Sequence, residues 1–180
     1  MLASVSLALL VGFMLGGRLA NLGRLQLRWT VLAIVSLALQ LVPGPGTAIP
    51  LACLYLSFAL LVVFAAKNLG IAGFWLVLAG VALNVTVIGL NRGMPVGELA
   101  LEVSGQTASL DDLMRNPGPK HHLQRPDDVA VLLGDVIALP QPIGIAISVG
   151  DILTYGGIGV VIAAGMLPAG DPAALERVRS

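Results

Sequence analysis

Long uncharged stretches alternate with short polar ones along this chain, and the positions of the breaks predict its elements. Residues 2–17 carry no charge and are rich in Leu, Val, Ala and Gly; Arg18, Arg24 and Arg28 then make a short basic loop. Residues 29–66 are again uncharged, but Pro43, Gly44, Pro45 and Gly46 interrupt the run, and proline and glycine at that density make a turn. The pattern predicts helices over residues 2–17, 25–42 and 48–66. Lys67 and Asn68 mark the next bend, and residues 70–90 supply a fourth helix. Residues 91–128 gather acids, bases and both histidines, the one extended stretch that must be wet. An apolar piece over residues 129–142 ends in Pro140, Gln141 and Pro142, and a fifth long run covers residues 143–167 before a polar tail.

A helix crosses a bilayer with about 20 apolar residues. The five long runs, of 16 to 25 residues, come near that length; the shorter apolar piece in residues 129–142 does not, and suits a segment that dips into the bilayer or lies at its surface. The expected fold class is therefore all-α, a polytopic membrane protein with five transmembrane helices and a short re-entrant or interfacial segment. Its parts are a four-helix region over 1–90, an extracytoplasmic polar loop region over 91–128, the re-entrant piece over 129–142, a fifth helix over 143–168 and a cytoplasmic tail over 169–180.

Composition strengthens this picture. Hydrophobic residues make up 57% and charged residues 11% of the 180, against about 25% charged in an ordinary soluble domain. Ten basic and ten acidic residues cancel, and aromatics are 4%, which excludes nucleic acid as a partner bound through a basic surface. One cysteine, Cys53, excludes a disulfide scaffold. The first basic residue follows the first apolar run, the reverse of a secretory signal, so that run reads as a retained span with its N-terminus outside. Arg18, Arg24, Arg28, Lys67, Arg177 and Arg179 then fall inside, and the short loop at 43–47 carries no positive charge. Positive residues in short loops mark the cytoplasmic side, so the chain is expected in the cell membrane with its C-terminus in the cytoplasm. Gly12 with Gly16, Gly89 with Gly93, and Gly150, Gly156, Gly157 and Gly159 offer faces for close helix packing.

Four polar residues resist a bland explanation: Asn84, Asn91, Asp135 and Asp151. A carboxylate within a bilayer costs about 2.5–3.5 kcal/mol even on an insertion scale, so it faces protein or water. Were residues 129–142 to dip in and return, Asp135 would approach Asp151 near the outer end of the fifth helix. Two carboxylates that close share a proton, and such a pair can activate water against a carbonyl. Ser148 and Asp151 also have the spacing of a capping box, and Asp135 after Gly134 could cap a short helix. Capping, catalysis and an ion or proton relay all remain open at these residues. Asn91, Arg92, Gly93, Met94 and Pro95 read as a helix stop, or else Asn91 and Arg92 line a polar entrance. His121 and His122 read as a solvated loop, because no further His or Cys pair completes a zinc shell. No metal and no cofactor is expected.

Residues 91–95, then Leu133, Gly134 and Asp135, then Ser148, Val149, Gly150 and Asp151 resemble the motifs of an uncharacterised family of small bacterial multipass membrane proteins, with Asn-x-Gly-Met-Pro, Leu-Gly-Asp and Ser-x-Gly-Asp in that order. That likeness implies no activity. A fainter one is to signal peptidase II, the intramembrane aspartyl enzyme that removes signal peptides from bacterial lipoproteins. Gly80 to Asn84 resembles its Gly-Asn helix, Asp135 with Val136 and Ile137 its first aspartate motif, and residues 148–151 its Asn-x-Ala-Asp. This resemblance implies that Asp135 and Asp151 are the catalytic pair, beside Asn84 and Ser148, with a membrane-anchored peptide or lipoprotein as substrate; Asn91 and Arg92, read as a polar entrance, join Asn84 and Ser148 as candidate supporting polar groups. Here Ser148 replaces the family's Asn, no Asp-Arg follows Asn84, about forty extra residues separate Asn84 from Asp135, and five helices are expected where that family generally has four. A non-enzymatic membrane component binding a lipid or protein, and a small transporter, are the alternative functions.

Overall fold

Apolar helices and a polar cap divide the chain between them. The computed structural model describes residues 2–41, 48–115, 118 and 120–168; the expected turn at 43–46 and the tail beyond 168 lie outside them. The helices are α1 (Leu2–Met14), α2 (Leu19–Leu22), α3 (Thr30–Gln40), α4 (Ala48–Lys67), α5 (Phe74–Asn91), α6 (Glu98–Ser104), α7 (Thr107–Arg115) and α8 (Val149–Met166). Four short strands, β1 (Met94–Val96), β2 (His121–Leu123), β3 (Ile137–Leu139) and β4 (Ile145–Ile147), lie between α5 and α8.

At about 1.5 Å per residue, the 20 residues of α4 and the 18 each of α5 and α8 extend about 27–30 Å. These three helices are long and apolar enough to cross a membrane. The expected first and second spans appear as shorter apolar helices, α1 with 13 residues and α3 with 11. In space the order is α3, α4, α5, α8, α1, with α2 also against α8. Successive long helices run in opposite directions. Arg18 N and Asn21 Nδ2 both donate to Met166 O, each at 2.8 Å, at the end of the bundle where Lys67 Nζ lies 5.2 Å over the Trp29 ring.

Small residues set the closest approach, between α5 and α8. A Cβ on Gly157 would lie 2.7 Å from Val77 N and 2.8 Å from Gly73 O, and one on Gly150 would overlap Asn84 Oδ1. Gly12 does the same against Met166, whereas Gly16, Gly89 and Gly156 meet nothing within 4 Å. The expected close packing at Gly16, Gly89 and Gly156 is thus absent among the described residues.

Two asparagines tie loops to helix ends by one scheme. Asn68 Nδ2 donates to Phe64 O and Arg28 O while its Oδ1 accepts from Arg28 N. Asn91 Nδ2 donates to Val87 O and Val129 O while its Oδ1 accepts from Val129 N. In both places the residue after the tied one is left-handed, Trp29 at φ 59° and Ala130 at φ 54°.

The all-α expectation needs correction over residues 129–148. The segment expected to be re-entrant forms a 3-10 turn at Val131–Leu133 and then β3, which pairs antiparallel with β4 in the register Ile137↔Ile147, Ala138↔Ala146, Leu139↔Ile145. The last long helix begins at Val149 rather than 143. β-branched residues flanking a Pro-Gln-Pro turn favour a hairpin, and hydropathy alone runs straight through them. Likewise β1 pairs parallel with β2. Val96, Leu101 and Leu110 form a small core under α6 and α7.

Candidate functional site

The first turn of α8 builds one half of the site. Ser148 is extended at φ −96°, ψ 167°, and its Oγ accepts from Asp151 N at 3.0 Å while Asp151 Oδ2 accepts from Ser148 N at 3.1 Å. The capping box allowed by the spacing is thus formed, satisfying two backbone donors at a helix start. Its remaining valences go to α5. Ser148 Oγ–H donates to Asn84 Oδ1 at 2.9 Å, and Asn84 Nδ2 donates to Asp151 Oδ1 at 2.9 Å. Asn84 and Ser148 are buried, and the missing side chain at Gly150 leaves the room Asn84 fills. The three side chains close a ring in which both Asp151 oxygens have partners.

Asp135 is placed differently. Its backbone N donates to Pro95 O at 2.9 Å and its carbonyl accepts from Gly97 N at 3.1 Å, a parallel bridge beside Val96. The expectation that Asp135 caps a short helix fails, because strand β3 follows it. The bridge satisfies the main chain and leaves the side chain to itself. Asp135 is 8% exposed, Oδ1 is buried with no hydrogen-bond partner among the described residues, and Oδ2 lies 3.7 Å from His121 Nε2. Burial, and secondarily the charge of Asp151, push its carboxyl up to about 7.

Asp135 and Asp151 line one cavity of about 150 Å³, together with Asn84, Lys120 and His121 over an apolar floor that includes Ile88 and Met94. Lys120 Nζ donates to Gln40 O at the end of α3, closing one wall. A second cavity of about 320 Å³ opens under α6 and α7 and shares Asp135 and His121 with the first.

Among the expected supporting groups, Asn84 and Ser148 join Asp151. Asn91 is spent on its loop tie, and Arg92 is exposed at the left-handed end of α5. Lys120 and His121 are the cavity residues that sequence reasoning missed. The expected solvated loop at the two histidines is corrected for His122, which is 3% exposed with Nε2 3.0 Å from Asp128 Oδ1. Adjacent residues of a strand face opposite sides, so β2 sends His122 inward and His121 to the cavity edge. A β signal at residues 121–123 was the clue available.

The family model for a family of unknown function, DUF5317, matches residues 24–163. The chain belongs to that family. It is also similar to an uncharacterized protein of Thermotoga maritima, 30% identical over 161 residues that cover 88% of each chain. No solved structure matches. The matched residues include every side chain of the site, Asn84, Lys120, His121, Asp135, Ser148 and Asp151.

Proposed function

We propose that this DUF5317 member is a membrane-embedded aspartyl-type hydrolase that acts on a membrane-anchored peptide or lipoprotein, in the manner of the signal peptidase II it resembles. α1 and α3 complete a five-span bundle around α4, α5 and α8, with the N-terminus outside, Lys67 in the cytoplasm and the polar cap outside. The observation that carries the reading is that Asp135 and Asp151 line one cavity while a buried Asp135 oxygen has no partner among the described residues. A carboxyl raised to about 7 still holds its proton on much of the protein at neutral pH, which suits Asp135 to donate toward a scissile carbonyl oxygen. Asp151, oriented by Asn84 and by the Ser148 backbone, suits the complementary task of taking a proton from water. As water's oxygen bonds the carbonyl carbon, its proton passes to Asp151 and the Asp135 proton to the carbonyl oxygen. Collapse breaks the C–N bond, delivers the Asp151 proton to the leaving nitrogen and returns one to Asp135.

Asp135→Asn and Asp151→Asn are each expected to lower turnover of a membrane-anchored lipopeptide panel about 100-fold or more, and the double variant is expected to be scarcely worse than either. Wild-type turnover by a folded Asp151→Asn protein would refute the reading. Topology is tested by Lys67→Cys and Thr107→Cys in a Cys53→Ala background. An impermeant thiol reagent on intact cells should label position 107 and spare 67, and the reverse pattern would invert the bundle.

The complete satisfaction of Asp151 favours one competitor, a non-enzymatic membrane component in which Asp151 only caps α8. Both Asp151 oxygens accept N–H donors and asparagine offers only one acceptor, so that reading expects Asp151→Asn to lower the unfolding midpoint and Asp135→Asn to leave every lipopeptide assay unchanged.

A further inference from the structure

His121 connects the two cavities. It lines both, its side chain is 53% exposed, and its Nε2 faces Asp135 Oδ2 at 3.7 Å. Its neighbour His122 is turned away into the pair with Asp128. Asp135, by contrast, has a buried oxygen without a hydrogen-bond partner among the described residues and lines both cavities. A largely buried carboxyl gains a fast route for its proton from a titratable neighbour that water reaches, and His121 fits that description by distance and exposure.

We propose that His121 is the proton-exchange partner of Asp135, carrying protons between the water outside the bundle and the carboxyl that lines the cavity. The proposal rests on reading Asp135 as the acid of the site. From 3.7 Å, a hydrogen bond of about 2.8 Å requires the half-exposed ring to move closer by about 1 Å. A proton arriving from a water-borne acid binds Nδ1, the Nε2–H proton moves to an Asp135 oxygen, and the ring is left neutral as the other tautomer. Exchange with water resets it, and the reverse sequence unloads the carboxyl.

The groups facing this pair are few. Asp151 and Tyr155 come from α8, Lys120 precedes β2, and Asp112 reaches the larger cavity from α7. Partial burial, and then the Lys120 cation, hold the His121 imidazole below its ordinary value, with Asp151 opposing them and His122 adding to them. A neutral ring at neutral pH is the form that can accept and donate in one pass.

The test uses the full-length protein in detergent and follows the protonated-carboxyl infrared band after a pH jump, assigned by its loss in Asp135→Asn. His121→Gln is expected to slow protonation of Asp135 at least tenfold while leaving the thermal midpoint nearly unchanged. His121→Ala should be equally slow and recover with added imidazole, a rescue that a structural role would not produce. Wild-type rates in both folded variants, slow exchange without imidazole rescue, or no band lost in Asp135→Asn would each overturn the proposal. Lipopeptide turnover separates it from the reading beneath it. Slow exchange in the variants with an inactive wild type would reject the hydrolase and keep the relay; wild-type exchange in the variants with an active wild type would reject the relay and keep the hydrolase.

Discussion

Asp151 and Asp135 are the same side chain in two supports, and the supports explain their difference. Asp151 lies in the first turn of α8, where a helix offers unpaired N–H groups, and it takes one from Ser148 and another donor from Asn84. Asp135 lies beside β1, where the bridge uses the backbone donors and acceptors and supplies nothing to the side chain. A helix start therefore orients a carboxylate, and a strand bridge buries one. A pair built this way is asymmetric from the outset, with one member anchored and the other holding a proton.

The largest expected effect tests the Asp135 half. Its carboxyl lies near 7 in the folded protein against 3.8 for a free side chain, so the folded state binds the proton more tightly. The stabilisation is complete below pH 4, is lost as pH rises toward 7 and stays lost above. The span corresponds to at most about 4 kcal/mol. Thermal unfolding across pH 4–8 should show this slope in the wild type and not in Asp135→Asn, which should be the more stable protein at pH 8. Equal slopes would remove the burial argument.

Next comes the anchored half. Asp151→Ala leaves the Asn84 amide and the Ser148 N–H without their acceptor, at a cost of about 2–3 kcal/mol, read as a lowered unfolding midpoint. A loss as small as a few tenths would mean that the ring around Asp151 contributes little. Gly150→Ala should cost about 1–2 kcal/mol, since the added methyl meets Asn84 Oδ1 and must displace it. It should do so without abolishing the Asp135 pH slope; loss of that slope would show that the two supports are not independent. Smallest of all, Asp151→Asn should lower the titration midpoint of Asp135, because Asp151 is the secondary cause that raises it. The drop should be less than burial contributes, and an unmoved midpoint would separate the two carboxyls electrically.

Much of the site was legible in the sequence, for local reasons. Ser148 and Asp151 stand three apart, the reach of a capping box, and that contact formed as spaced. Asp135 and Asn84 were conspicuous because charge and amide are costly inside apolar runs. Lys120 and His121 were not legible, because their neighbours in the cavity come from α5, α8 and the Gly134–Asp135 turn. Residues 137–147 were misread for a different reason: hydropathy registers how apolar a segment is, and a short hairpin rich in Ile and Leu scores as a helix would.

What the sequence determined by itself is the alternation of apolar runs and polar breaks, and through it α4, α5 and α8 as helices long and apolar enough to span, since length and hydropathy are properties of a segment alone. The start of α8 belongs to the same class, a contact among neighbours in the chain. What only the tertiary structure decided is which polar groups meet. The ring from Asn84 to Ser148 and Asp151 needs α5 to lie against α8 at a distance that Gly150 permits. The solitude of Asp135 needs a strand bridge to Pro95 and Gly97, some forty positions earlier. Burial and partnership are set by what packs around a residue, and no pattern within its own segment carries that information.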